Sequence, residues 1–150
     1  MKKNEIIELN GVEYTLELNR ESFLQIDKLC DVQKSFSIIE APLYTYVDGE
    51  IDDDFNPETL IINEEELDAQ VELKNKTLEK LIERSLLIWL YPNHKLNISQ
   101  VREIIKPYLE DDEKSQELGA KVGKLLRECI TIREDYIKER KNLKAQTNKK

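Results

Sequence analysis

The chain has 150 residues, 17.7 kDa, 36% charged and 39% hydrophobic residues, and a net charge of −8, which describes one domain that needs no disulfide to fold. Four Gly and four Pro exclude collagen-like and Pro/Gly-rich disordered classes and argue against turn-rich sandwiches and barrels. No stretch approaches the ~18 apolar residues of a membrane span, and Met1-Lys2-Lys3-Asn4-Glu5 opens no signal-peptide core, so the chain is expected to be cytoplasmic.

The charge is divided rather than spread. From Ser35 to Leu73 there are twelve acids and no Lys or Arg, and the other 111 residues sum to +4. Lys138 to Lys150 holds six bases and one acid. An acidic surface of this kind either is a solvated face or steers a basic partner. It makes a poor general nucleic-acid binder.

Ile6 to Leu18 predicts a β-hairpin. Asn10-Gly11 suits a two-residue type I′ turn, since both residues tolerate positive φ. Leu9 then faces Val12 and Ile7 faces Tyr14, with Leu16 and Leu18 on the same apolar side. Glu8, Glu13, Thr15, Glu17 and a lone Ile6 form the wet side. A lone hairpin is marginal in water, so this one is expected to lie against helices.

Asn19 predicts a helix cap, and Arg20 to Gln33 reads as one helix with Phe23, Ile26, Leu29 and Cys30 on its apolar stripe. Ala41-Pro42 interrupts any helix there. Tyr44 to Ile51, with Asp48-Gly49 at its centre, is compatible with a second short hairpin inside an acidic insertion, residues 35–68. Asn63 with Glu66 resembles a capping box that opens a helix to about Tyr91, with the stripe Leu67, Val71, Leu78, Ile82, Leu86 and Trp89. Its second half is apolar on several sides and predicts the central core helix. Pro92 is expected to stop it, and Pro92 to Lys95, with His94, reads as a surface turn.

Asn97 with Gln100 is another capping pattern. It opens a short helix through Val101, Ile104 and Ile105 that ends or bends near Pro107. The last helix starts at Asp111. Leu118, Val122, Leu125, Cys129, Ile132 and Tyr136 recur in steps of four and three, a coiled-coil-like seam flanked by Leu126, Ile130 and Ile137. Residues 1–143 are expected to form one globular domain and 144–150 a disordered basic tail. The fold class is thus mainly α, with an N-terminal β-hairpin packed on a small helical bundle.

The sequence carries no catalytic signature. His94 is the only histidine, so any Ser-His or Cys-His catalysis would depend on it. Cys30 and Cys129 have no metal-ligand spacing and read as reduced core cysteines. An EF-hand loop needs Gly at position six and Glu at twelve. Starts at Asp48 or Asp52 fail both, and starts at Asp53 or Asp54 reach Glu64 or Glu65 but place Glu58 or Thr59 at the sharp turn. Clustered acids in polar sequence stay ionised and supply no general acid. No GxxxxGK[ST], GxGxxG or GxSxG occurs. Gly119 and Gly123 form a small-residue step that allows close helix packing. No cofactor and no metal is expected.

The opening Ile6-Ile7-Glu8-Leu9-Asn10-Gly11-Val12-Glu13-Tyr14-Thr15-Leu16, followed by Arg20-Glu21-Ser22-Phe23, resembles the start of the small tail assembly chaperones of long-tailed bacteriophages, such as those of Gram-positive hosts. The run Leu78–Trp89, Tyr91-Pro92, Ile98–Ile105 and a long last helix is similar to their helical body. The likeness covers about residues 5–33 and 76–137, and the segment 35–68 is longer than in compact members. The resemblance implies a non-enzymatic protein of the host cytoplasm, absent from the mature virion. It would bind the tape measure protein, a very long helical chain with exposed apolar surface, and keep it soluble while tail tube protein assembles around it. It also implies that a longer frameshifted form exists, for which Lys149-Lys150 would suit a slippery site.

Such a holdase needs apolar stripes for its client and surface charge for its own solubility. The residues expected to contact the client are Leu125, Ile132 and Tyr136 on the outer flank of the last helix, with the acidic segment steering basic client regions. Two other functions remain open at this level. One is an acidic inhibitor or nucleic-acid mimic that acts on a host enzyme through Asp48–Asp68. The other is a small structural or regulatory dimer, a homo-oligomer joined along Leu118–Tyr136.

Overall fold

The computed structural model describes the backbone of residues 2–43 and 64–148 and the side chains of residues 3–43 and 64–130. Strand β1 (Lys2–Leu9) and strand β2 (Val12–Asn19) form a two-stranded antiparallel sheet, followed by helices α1 (Arg20–Cys30), α2 (Val32–Glu40), α3 (Glu64–His94), α4 (Ile98–Leu109) and α5 (Asp112–Asn148). The protein is mainly helical with an N-terminal hairpin packed on the helices, as the sequence predicts.

The hairpin register pairs Leu9 with Val12, Ile7 with Tyr14 and Glu8 with Glu13. Asn10 and Gly11 both have positive φ, 55° and 78°, the backbone that matches strand twist in a two-residue loop. Ile7, Leu9, Leu16 and Leu18 are buried, and Ile6 stays 69% exposed. Long-range hydrogen bonds hold the sheet on the helices. The Asn10 N–H donates to the Tyr108 hydroxyl (2.9 Å) and the Asn10 side chain donates to the Ile104 carbonyl (2.8 Å), pinning the turn on α4. The Thr15 N–H donates to His94 Nε2 (2.9 Å) at the end of α3. Lys3 bridges Glu5 and Glu128, which joins β1 to α5.

The expected single helix from Arg20 to Gln33 is two helices. Asp31 adopts the left-handed conformation (φ 48°, ψ 81°), ending α1 and capping α2. A group of short polar side chains stabilises the break. Asp31 Oδ1 accepts the Lys34 N–H, Asp27 Oδ1 accepts the Val32 N–H, and Ser35 Oγ donates to the Cys30 carbonyl. Asp tolerates this conformation better than most residues because its side chain bonds the nearby backbone. The redirection buries Val32 and leaves Leu29 exposed, contrary to its place on the expected stripe. Asn19 and Ser22 form a reciprocal capping box at the start of α1. Asn63 and the expected hairpin at Tyr44–Ile51 lie outside the described residues.

Pro92 does not stop α3, which continues to His94. A proline deletes its own N–H but leaves later donors intact, and the Lys95 N–H still reaches the Tyr91 carbonyl at 3.0 Å. Lys95, at φ 53°, makes the left-handed exit. His94 therefore sits in the last turn of a helix, half-buried, rather than in a surface turn. Asn97 and Gln100 form the expected capping box, and α4 carries Pro107 in its last turn. Asp111 accepts the Glu113 and Lys114 N–H groups and opens α5.

The second half of α3 forms the centre of the core, with Leu81, Ile82, Leu86, Trp89 and Leu90 buried. Full burial of such side chains stabilises by about 1.5–3 kcal/mol each. α5 contributes Leu118, Val122, Leu126 and Cys129. Leu126 thus takes the buried place in the seam and Leu125 lies half-buried on its flank. Gly119 permits close approach of α5 to α3, since a Cβ there would lie 2.9 Å from a Leu78 methyl. Gly123 faces no comparable constraint, its nearest neighbour being the Phe36 ring at 3.9 Å.

Candidate interaction surface

The chemistry-bearing side chains hold structural positions. His94 Nε2 is occupied by the Thr15 amide, and its ring meets Tyr14 edge-on at 5.2 Å. Burial pushes the Cys129 thiol up to about 11, and burial also raises Cys30. Neither therefore has the depressed pKa of a reactive cysteine. Among the described residues, no three His, Cys, Asp or Glu side chains gather as metal ligands, and no helix is long and apolar enough to cross a membrane.

Lysine and arginine side chains join helices instead. Lys74 on α3 donates to the Ile38 and Ile39 carbonyls (2.7 and 3.1 Å) and to the Ala41 carbonyl. A cation there satisfies the open carbonyls at the end of α2 and complements its negative pole. Arg102 on α4 makes a two-pronged pair with Glu83 on α3 (3.0 and 3.2 Å). Arg127 on α5 pairs with Glu40 and lies over the Phe36 ring at 5.2 Å, binding α5 to α2.

Surface clefts lie among the described residues, one of them between α3 and α4 around Glu83 and Arg102. Another, about 560 Å³, runs between the β2–α1 junction and the end of α3. Leu87, Ile88, Tyr91, Pro92 and Leu96 give it an apolar side, and Glu17, Glu21 and Gln25 a polar one. Helix geometry explains this apolar row, because Leu87 and Ile88 each lie about one turn before Tyr91 along α3. Leu87 and Ile88 pack their inner sides on the core, while Tyr91 is 55% exposed with Lys95 Nζ 4.7 Å from its ring centre. The α1 and α4 N-termini that meet here are both sealed by capping boxes. Each box engages the N3 and N-cap N–H groups, and the charged side chains lining the cleft are the two glutamates.

A further cleft, about 350 Å³, lies between α2 and α3 and includes Ile38, Pro42 and Leu73. A smaller one, about 240 Å³, lies between β1 and α5 and includes Ile6, Leu125, Lys121 and Lys124. Of the three residues expected to contact a client, Leu125 lines this smaller cleft. The side chains of Ile132 and Tyr136 lie outside the described residues. Periodicity pointed to the last helix and missed the cleft beside Tyr91. The signal available for it was the surplus of apolar residues on α3 around Leu87 and Ile88, more than one core-facing stripe requires.

Compared with known proteins, the chain matches no family model, no curated protein and no solved structure.

Proposed function

We propose that this protein is a non-catalytic tail assembly chaperone that holds the tape measure protein soluble while tail tube protein assembles around it. The observation that supports this reading is the cleft beside Tyr91, where Leu87, Ile88, Tyr91, Pro92 and Leu96 stand opposite Glu17 and Glu21. An apolar row with acids along one side suits an amphipathic client helix that carries basic residues next to its apolar face. A capture surface of this kind works by covering apolar side chains, and it asks nothing of the histidine or the thiols. Leu125 in the cleft beside β1 offers a second contact.

The test is co-expression with a phage tape measure protein. The client is expected in the soluble fraction, bound to this chain, and Tyr91→Glu, at an exposed position, is expected to abolish rescue while leaving the fold intact by circular dichroism. A client that stays insoluble beside excess unaltered protein overturns the reading.

A further inference from the structure

We propose that β1 is a docking edge for a second copy of this chain, with the two β1 strands pairing antiparallel about Ile6 to make a continuous four-stranded sheet across the dimer.

The hydrogen-bond parity of the hairpin defines the edge. The loop Asn10-Gly11 closes on Leu9 and Val12, and the pair that flanks a two-residue loop is a hydrogen-bonded one. Hydrogen-bonded and open pairs alternate, so Ile6 with Thr15 is an open pair whose backbone groups point away from the hairpin. The β2 side bears this out directly. The Thr15 N–H reaches out to His94, and the Asn93 amide donates to the Thr15 carbonyl at 3.4 Å. The last turn of α3 thus occupies the β2 edge at its centre. By the same parity Asn4, Ile6 and Glu8 present their N–H and C=O groups on the β1 edge. Among the described residues nothing bonds those groups. A long unpaired edge of this kind is a template for another strand.

A second copy fits this edge in one register better than its neighbours. With the twofold at Ile6, Asn4 lies opposite Glu8 of the other chain and Ile6 opposite Ile6. All three outward-facing residues then meet outward-facing residues, and each pair exchanges two backbone bonds. The side chains agree, since an amide meets a carboxylate and the one large apolar residue on the wet face covers itself. A twofold at Ile7 sets Ile6 against Glu8, and a twofold at Glu8 sets like charges together, which destabilises. The cleft alongside supplies bases, because Lys121 and Lys124 line it with Glu5 and Glu8. These lysines reduce the repulsion when two acidic edges approach. The 69% exposure of Ile6, unexplained by the hairpin's own packing, has a purpose in this arrangement.

Cysteine scanning with light scattering tests the register. Directly opposed residues of a hydrogen-bonded pair have Cα atoms about 5.5 Å apart, inside the range of about 4.4–6.8 Å that a disulfide spans. Under diamide, Ile6→Cys is expected to cross-link to dimer by itself. Asn4→Cys alone should not, whereas Asn4→Cys mixed with Glu8→Cys should. The unaltered chain under diamide gives the background from Cys30 and Cys129. Light scattering should read a dimer for the unaltered protein and a monomer for Ile6→Lys, whose exposed position leaves thermal unfolding of the monomer unchanged. A monomer at all concentrations without Ile6→Cys cross-linking overturns the proposal. So does a dimer that persists in Ile6→Lys, which would place the contact on α5, or cross-linking of Ile6→Cys to the client alone.

Discussion

The two halves of α3 are one continuous helix with opposite fates. From Leu81 to Leu90 it is enclosed by the hairpin, α1, α4 and α5, and its apolar residues are buried on several sides. From Glu64 to Lys80 no described side chain is fully buried, Leu73 is 54% exposed and Val71 38%. Leu67, Val71 and Leu78 continue the same heptad-like stripe as Ile82 and Leu86. A stripe only states which residues share a face. Burial requires another element to cover that face, and from Glu64 to Lys80 the cover is partial: Leu78 lies half-buried against the core, and Lys74 reaches the α2 carbonyls.

The sharpest way to break this contrast is to truncate each half in turn. Leu86→Ala is expected to cost about 2–5 kcal/mol, as large-to-small changes in closed cores do, whereas Leu73→Ala should change stability by no more than about 0.5 kcal/mol. Urea unfolding with a common m-value checks both, and equal losses would show the first half to be core after all. Next in size, Lys74→Met removes the cation from the α2 carbonyls and is expected to cost about 1.5–3 kcal/mol, the range for hydrogen bonds to charged groups. Hydrogen exchange should rise over the last turn of α2 and not at α1.

A third change probes the buried half from inside. Ser85 Oγ and Trp89 Nε1 are buried without a partner among the described residues. Ser85→Ala is expected to raise stability by about 1 kcal/mol, since it removes an unsatisfied hydroxyl at nearly unchanged volume. A fall in melting temperature would mean that the hydroxyl has a partner. The smallest effect concerns pH. The Cys129 thiol rises from 9.0 to about 11 because burial disfavours its thiolate. Its neutral form therefore favours the fold fully below about 9.0, and that contribution is lost as pH rises through about 11. Cys129→Ala should flatten the stability profile in this window without changing its slope near neutrality.

Several elements were legible because the signal was local. The turn at Asn10-Gly11, the caps at Asn19 and Asn97, and the start of α5 at Asp111 each rest on residues within four positions of one another. The break at Asp31 was not legible as a break, because Asp27, Asp31 and Ser35 read equally well as the polar face of one helix. Pro92 misled for the opposite reason. A proline is a strong local signal, but in a final turn it deletes one hydrogen bond and leaves the rest of the turn able to form.

The seam on the last helix shows the same boundary. Its step of four and three identified Leu118, Val122 and Cys129 as one face, while the exchange of Leu125 for Leu126 at the buried position depends on where α3, α4 and α1 pack against α5. Composition, pattern and capping chemistry determined a helical protein with an N-terminal hairpin and its strand register. These follow from backbone preference and from the alternation of apolar with polar side chains, which a chain carries wherever it lies. Only the tertiary structure decided which apolar residues are closed over, that His94 occupies the edge of β2, and that no described residue bonds the edge of β1. Those depend on contacts between residues tens of positions apart, and nothing in a local pattern encodes the partner.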